Sequence, residues 1–159
     1  MISEIGKERI RRAGKQFEKN NTQLDVGFRV FKIDSSNMND VYYGVDDYSQ
    51  NLISKMEDNI KSDRSDLDLL FGCLVDWKIP LSYSYTSNEI NGCIVHDYND
   101  GDLIACFDKD VPESVVKKIA KMKPLRVVFF DRSFADSSAK INVTEIFKLL
   151  APDTEIRVL

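Results

Sequence analysis

The spacing of hydrophobic residues predicts a helix at the start of the chain, followed by a short strand. Residues 3–19 have helical spacing, with the basic side chains mostly on the other faces. The apolar positions that fall near one face are Ile5, Ile10, Ala13 and Phe17. Residues 27–33 alternate in the manner of a strand with at least one solvated face. Because its apolar stripe is thin, the N-terminal helix is expected to need a packing partner.

The middle of the chain predicts two helices and then a β-hairpin. Helical spacing is found at about 46–60 and again at about 64–77, where Ser65 and Asp68 form a capping-box pattern. Two apolar strands are expected at 90–97 and 103–107. The Asp100-Gly101 pair between them is a strong hairpin signal.

The last third of the chain is the most regular and predicts a β-α-β-α-β unit. Its strands are expected at 103–107, 126–130 and 155–159. The first connecting helix is predicted to be capped by Asp110, and the second spans about 134–150 with an interruption near Asn142. Strands that are apolar throughout favour a partly parallel sheet with helices packed against it.

Together these elements predict a mixed α/β fold class. The expected architecture is a small three-layer-like domain with a mixed, partly parallel sheet, in which a β-hairpin leads into the β-α-β-α-β unit. An N-terminal helical arm is added at residues 1–20, and the α/β domain is assigned to residues 27–159. A length of 159 residues is consistent with one compact domain plus such an arm.

Charge is distributed unevenly along the chain, and this limits the possible partners. Residues 1–20 contain six basic and three acidic side chains, although the whole chain has a net charge of −4. An acidic body repels phosphate, so tight DNA binding by the chain alone is not expected. If DNA backbone is contacted, the candidate residues are Lys7, Arg9, Arg11, Arg12 and Lys15. The alternative is a solvated helix face, which the interleaved acidic residues favour.

Cysteine and histidine usage predicts neither a disulfide framework nor a metal site. The three cysteines are widely spaced and odd in number, and each lies in an apolar run that is typical of a buried free thiol. His96 is the only histidine, and Cys93 is expected on the opposite face of the same strand. No catalytic, cofactor or metal residue is therefore assigned. The lack of a signal core or an apolar span favours the cytoplasm and no membrane partner.

Two further patterns leave alternatives open. Asp34, Asp108 and Asp131 follow predicted strands, so they either hold a divalent ion such as Mg²⁺ at the strand ends or simply terminate strands and cap helices. The tyrosines either form an interaction surface or are ordinary half-buried side chains. The candidate interface residues are Tyr42, Tyr43, Tyr48, Tyr83 and Tyr85.

Several longer segments resemble one protein family. They are ERIRRAGK at 8–15, GFRVFKIDSSN at 27–37, DNIK at 58–61 and DRSDLDLL at 63–70, continuing through 103–108, 126–131 and 139–150. In this order they resemble the C-terminal region of the modification (Mod) subunit of type III restriction-modification systems. Those subunits are adenine-N6 DNA methyltransferases. The family's Asp-Pro-Pro-Tyr and Phe-x-Gly-x-Gly motifs are absent from the 159 residues.

The resemblance implies a non-catalytic role in assembly. It implies a chain that supports dimerisation with a second Mod subunit, contacts with the restriction (Res) subunit, and DNA contact through the intact complex. S-adenosylmethionine would be the cofactor of the parent enzyme and would not bind this chain. The N-terminal helix would be a remnant of the methyltransferase core. The competing hypothesis is a small α/β metal- or ligand-binding module that uses the strand-end aspartates.

Overall fold

A computed structural model describes residues 2–18, 25–39 and 60–159 of the protein. Its contacts divide the chain into two compact units, Met1–Asp34 and Ser35–Leu159. The predicted helix at 46–60 lies almost entirely outside the described residues.

The N-terminal unit contains one helix, α1, at Ile2–Glu18, which confirms the helix predicted there. The strand predicted at 27–33 is wrong, because the structure assigns no strand to those residues. A strand requires a neighbour for its backbone hydrogen bonds, and alternation of side chains cannot supply one. Gly27 instead donates its N–H to the Asp25 carboxylate at 2.8 Å in a local turn.

The second unit has the predicted mixed α/β fold. It begins with α2 at Asp66–Asp76, within the predicted helix at 64–77. The strands are β1 at Tyr85–Ile90, β2 at Cys93–Tyr98, β3 at Leu103–Cys106, β4 at Arg126–Phe129 and β5 at Glu155–Val158. Helix α3 at Glu113–Met122 connects β3 to β4, and α4 at Ser137–Leu150 connects β4 to β5. The β-α-β-α-β prediction is confirmed.

The five strands form one mixed sheet in the order β1-β2-β3-β4-β5. The pairs β1–β2 and β2–β3 are antiparallel, whereas β3–β4 and β4–β5 are parallel. Both crossovers step in the same direction across the sheet, so the strong preference for one crossover hand places both helices on the same face. Buried residues of α3 and α4 do share one core.

Each face of the sheet has its own hydrophobic core, which gives three layers. Ile104 and Cys106 of β3 face the core formed with α3 and α4. Leu103 and Ala105 face the core formed with α2. All four side chains of β3 are fully buried, so this strand is covered on both faces.

Two hairpins shape the antiparallel half of the sheet, and one of them corrects the sequence prediction. The strand predicted at 90–97 is broken by Asn91 and Gly92, whose φ angles are +51° and +84°. Two consecutive residues of positive φ are what a two-residue hairpin turn of type I′ requires, and Asn-Gly is a preferred pair for it. Residues before the turn belong to β1 and those after it to β2. The second hairpin turns at Asp100 and Gly101, as predicted.

Helix ends differ from the prediction at two places. Asp110 does not cap α3, which begins after Pro112 without a side-chain cap, because Asp110 has a φ of +51° and belongs to the preceding turn. The predicted interruption of α4 near Asn142 is also wrong. Asp136 caps that helix by accepting from the Ala139 N–H, and the Asn142 amide donates to Glu113 of α3 at 3.2 Å.

The capping box of α2 provides a first prediction. The Ser65 hydroxyl donates to the Asp68 carboxylate at 2.7 Å, and the Ser65 N–H donates to it at 2.8 Å. These bonds hold the pKa of Asp68 below its usual value of 3.8. We expect Ser65→Ala to lower the free energy of unfolding at pH 7 by about 1 kcal/mol.

This effect should depend on pH in one direction. Because the pKa of Asp68 is lowered by folding, its contribution is present above pH 3.8 and is lost as the pH falls through the folded-state pKa. Urea titrations at pH 7 and at acidic pH will measure the difference, with Ser62→Ala as a control outside the helix. An equal cost of Ser65→Ala at both pH values would contradict the capping interpretation.

Candidate functional site

The basic residues of α1 are partly neutralised within the helix itself. Lys7 pairs with Glu4 at 2.7 Å, and Arg12 pairs with Glu8 at 2.9 Å. Arg11 lies 4.0 Å from Glu8 and 6.0 Å from the centre of the Phe28 ring. Arg9 and Lys15 are exposed. The helix therefore offers phosphate a mixed surface of both signs, and DNA contact by these residues stays a prediction.

The N-terminal unit buries no side chain among its described residues. Ile33 is 99% exposed and Ile2 is 90% exposed. The other large apolar side chains that face solvent there are Ile5, Ile10, Phe17, Phe28, Val30 and Phe31. Val26 is the half-buried exception among the described residues. Single exposed apolar residues are ordinary on a protein surface, but a unit in which nearly all of them are exposed has no core.

One local contact does organise this unit. Gly14 of α1 faces Val26, and a methyl group added at Gly14 would lie 3.2 Å from the Val26 Cβ. The small residue therefore lets the following segment approach the helix closely. An open groove of about 470 Å³ runs between α1 and residues 25–28. The groove is lined by charged side chains at one end, including Arg11, Lys15 and Glu18.

The structure separates the candidate tyrosines. Tyr42, Tyr43 and Tyr48 lie outside the described residues. Tyr85 is half-buried, and its hydroxyl is 3.0 Å from His96 Nδ1. Tyr83 is exposed, while its N–H donates to a neighbouring tyrosine hydroxyl within the domain. Of the two described candidates, Tyr83 presents the more accessible ring for a partner.

The strand-end aspartates have separate partners. Asp34 belongs to the N-terminal unit. Asp131 forms an ion pair with Lys140 of α4, and Asp108 accepts from the Ile94 N–H at 2.5 Å. Ligands of open α/β sheets bind where the direction of strand order reverses, and the parallel part of this sheet steps in a single direction. Nothing in this arrangement joins Asp108 and Asp131 into one magnesium site.

A different group of side chains does converge at this end of the sheet. Within the described residues, Cys93, Cys106 and Asp108 bring two sulfur atoms and a carboxylate oxygen within 4.8 Å of one another. The strand register explains why. His96 pairs with Ala105 across the antiparallel β2–β3 ladder, so three further steps place Cys93 opposite Asp108. Cys106 lies two residues before Asp108 and shares the α3–α4 face with Cys93.

The two thiols have altered acidity because of their surroundings. Burial raises the pKa of Cys106 to about 12, and the Cys93 thiol and the Asp108 carboxylate add to this rise. Burial also raises the pKa of Cys93, with a further contribution from Asp108. The backbone N–H of Asp108 lies within hydrogen-bond reach of the Cys106 sulfur and acts in the opposite direction. Both thiols therefore carry their protons at neutral pH.

Sequence reasoning missed this cluster because it considered the cysteines separately. The three residues are 13 and two positions apart, which matches no familiar metal motif. The available signal was the hairpin at Asp100-Gly101. Once the register of this hairpin is known, each residue of the strand before the turn can be paired with its partner in the strand after the turn.

His96 occupies a second polar cluster on the opposite face of the sheet. It is 4% exposed and is one of two buried polar residues among those described. Its Nδ1 lies 3.0 Å from the Tyr85 hydroxyl, and its Nε2 lies 3.4 Å from Asp66 of α2. Phe107 packs beside the ring at 6.0 Å. His96 therefore joins α2 to the sheet, and its separation from Cys93 by the sheet agrees with the prediction.

Comparison of the chain with known protein families, with curated proteins and with solved structures finds no significant match. Within the described part of the chain, no helix combines the length and apolar character needed to cross a membrane. The fold is shown by the structure, and the functional interpretation depends on the sites described above.

The DNA hypothesis gives a second prediction. We expect the triple variant Arg9→Ala, Arg11→Ala, Arg12→Ala to lose any salt-sensitive binding of the chain to duplex DNA, because each arginine that contacts phosphate releases counterions. Fluorescence anisotropy at several salt concentrations will measure the change.

A charge-matched control variant replaces three lysines of α3, Lys117, Lys118 and Lys121, by alanine. If this control loses as much binding as the arginine variant, the effect is one of net charge. If the unmodified chain does not bind DNA even at low salt, the α1 contact prediction is wrong.

Proposed function

We propose that this chain is a non-catalytic assembly module that corresponds to the C-terminal region of a type III modification subunit. The observation that supports this most directly is the N-terminal unit, which has no core of its own among the described residues. A helix without a buried face is marginal in water, since most helical stability in proteins comes from tertiary packing. Another protein surface is therefore expected to cover it.

The arrangement of α1 favours a protein partner over a nucleic acid. Ile10, Ala13 and Phe17 recur at spacings of three and four, so they share one side of the helix. Ile10 is 51% exposed and Phe17 is 61% exposed. Lys7, Arg11 and Arg12 nearby already have acidic partners in Glu4 and Glu8. An apolar stripe with self-paired charges around it has the composition of a protein interface with a polar rim.

In this proposal the α/β domain and the N-terminal unit have different roles. The α/β domain has a hydrophobic core on each face of its sheet among the described residues. The N-terminal unit joins it to the methyltransferase core of a modification subunit, where α1 would be a supporting element. The adenine-N6 chemistry and the S-adenosylmethionine site belong to that core. Dimerisation and contact with the restriction subunit would take place in the cytoplasm, with DNA bound by the intact complex.

A metal- or ligand-binding module based on the strand-end aspartates is the weaker alternative. Asp131 is paired with Lys140, and Asp108 is turned towards β2. A magnesium titration tests it, because ion binding to the folded state raises the melting temperature by mass action. An unchanged melting temperature in millimolar Mg²⁺ excludes this module.

The assembly proposal gives a third prediction. We expect light scattering over a concentration series to show a dimer at low micromolar concentration, and the double variant Ile10→Asp, Phe17→Asp to be a monomer. Two charges placed in a buried apolar interface must be desolvated, and this cost weakens association. The control is Leu149→Asp, which places one such charge on an apolar residue of α4 that is 82% exposed.

Co-expression with the remaining parts of a type III system extends the test. The chain is expected to co-purify with a modification core or with a restriction subunit, and the Ile10, Phe17 variant to be lost from that complex while the Leu149 variant is retained. A monomeric chain that captures neither component would overturn the proposed function. Circular dichroism of each variant checks that the α/β domain is intact.

A further inference from the structure

We propose that Cys93, Cys106 and Asp108 form a binding site for a thiophilic divalent cation such as Zn²⁺. This inference rests on the α/β domain alone and does not depend on the proposed assembly role. Two sulfur atoms and one carboxylate oxygen are the donor set, and the three lie within 4.8 Å of one another. Sulfur donors select zinc and related ions over magnesium, which prefers oxygen.

The distances are close to those that tetrahedral coordination needs. With bonds of about 2.3 Å to sulfur and about 2.1 Å to oxygen, tetrahedral ligands lie roughly 3.6–3.8 Å from one another. The three ligand atoms are held within 4.8 Å, so a contraction of about 1 Å at most closes the site. A small rotation of the Cys93 side chain can supply this while the Ile94 N–H holds Asp108 in place.

The surroundings of the cluster fit a cation better than they fit two inert thiols. An apolar core normally surrounds a structural cysteine with hydrocarbon, whereas here a carboxylate lies beside both sulfur atoms. The backbone N–H of Asp108 acts against the rise in the pKa of Cys106 and so favours its thiolate form. Asp108 itself is fixed by the Ile94 N–H, as outer hydrogen bonds fix carboxylate ligands in metal sites.

The position of the cluster gives an ion a route in from solvent. Cys106 is fully buried, Cys93 is 6% exposed and Asp108 is half-buried. The carboxylate is thus at the outer side and the sulfur atoms are at the inner side. Binding of the ion displaces one proton from each thiol to solvent, which leaves two thiolates and one carboxylate around a dipositive charge. Three protein ligands leave a fourth position for water or a small anion.

Titration of the reduced, chelator-treated full chain with Co²⁺ tests the site. Thiolate ligands give cobalt a charge-transfer absorption in the near ultraviolet that oxygen ligands alone do not give. We expect saturation at one ion per chain, loss of the absorption when Zn²⁺ is added, and a higher melting temperature with Zn²⁺.

Three variants make the test specific. Cys93→Ser and Asp108→Asn should each weaken binding at least about tenfold, since loss of an outer-shell partner alone costs roughly 10–100-fold. Asparagine still accepts the Ile94 N–H through its carbonyl oxygen, so Asp108→Asn decides the question if Cys93→Ser does not fold. Cys73→Ser is the matched control, because Cys73 is equally a buried free cysteine but belongs to the core on the other face.

Several results would overturn the site. An absence of near-ultraviolet absorption would contradict coordination of the ion by the thiolates. Equal affinity of the wild type and the Asp108→Asn variant would contradict coordination by Asp108. Equal weakening by Cys73→Ser would show that the effect is general destabilisation. A chain whose two neighbouring thiols oxidise to a disulfide in air but bind no ion when reduced would also contradict the proposal.

Discussion

The fold depends on the burial of strand Leu103–Cys106 on both of its faces. Each of its four side chains is completely excluded from solvent. Because successive side chains of a strand alternate, Leu103 and Ala105 must contribute to one core while Ile104 and Cys106 contribute to the other. A shift of one residue would exchange the two sets, so this strand fixes the register of its neighbours on both sides. The helices on each side of the sheet then cover the apolar face that this strand presents to them.

The sequence predicts this central part well because the signal is local and strong. Strands that are apolar at every position, such as 126–129, indicate burial on both faces, and the intervening helices have clear apolar stripes. The failures have equally definite causes. Asn91 and Gly92 lie within a run of strand-forming residues, so the pattern predicts one continuous strand through them. Their two positive φ angles instead allow the chain to turn there. Residues 27–33 alternate like a strand, yet pairing depends on a neighbour that no local pattern reveals.

Helix ends show the same limit on a smaller scale. Ser65 and Asp68 form a capping box that the sequence identifies, since both partners belong to one helical turn. Asn142 satisfies a similar pattern, but its amide bonds to Glu113 of another helix, and α4 continues through it. The hydrogen bond from Asn142 to Glu113 therefore takes the place of the local cap that the sequence pattern predicts. The meeting of Cys93 with Cys106 is likewise a matter of register between strands, and separate consideration of each cysteine could not find it.

Buried apolar cores are found in the α/β domain, whereas exposed apolar surface is concentrated in the N-terminal unit. The α/β domain has a hydrophobic core on each face of its sheet, and its buried His96 is paired with Tyr85. The N-terminal unit leaves its apolar residues in solvent. Core residues and exposed apolar residues therefore lie largely in different units, so a change in one set need not disturb the other. Substitutions at Phe17 and at Phe129 should thus have effects of different kinds.

Strand order in the sheet is identical to strand order in the chain, and this has a kinetic consequence. Each strand pairs with the one made just before it, through either a tight turn or a single helix, so no pairing must wait for a distant segment. The entropy cost of loop closure is then low at the two hairpins and larger at the two helical crossovers, because parallel pairing needs a longer connection. The domain can grow from its first hairpin one strand at a time. The exposed polar side chains of Tyr85–Ile90 leave little apolar surface on the outer edge of the finished sheet, which lowers its tendency to pair with another chain.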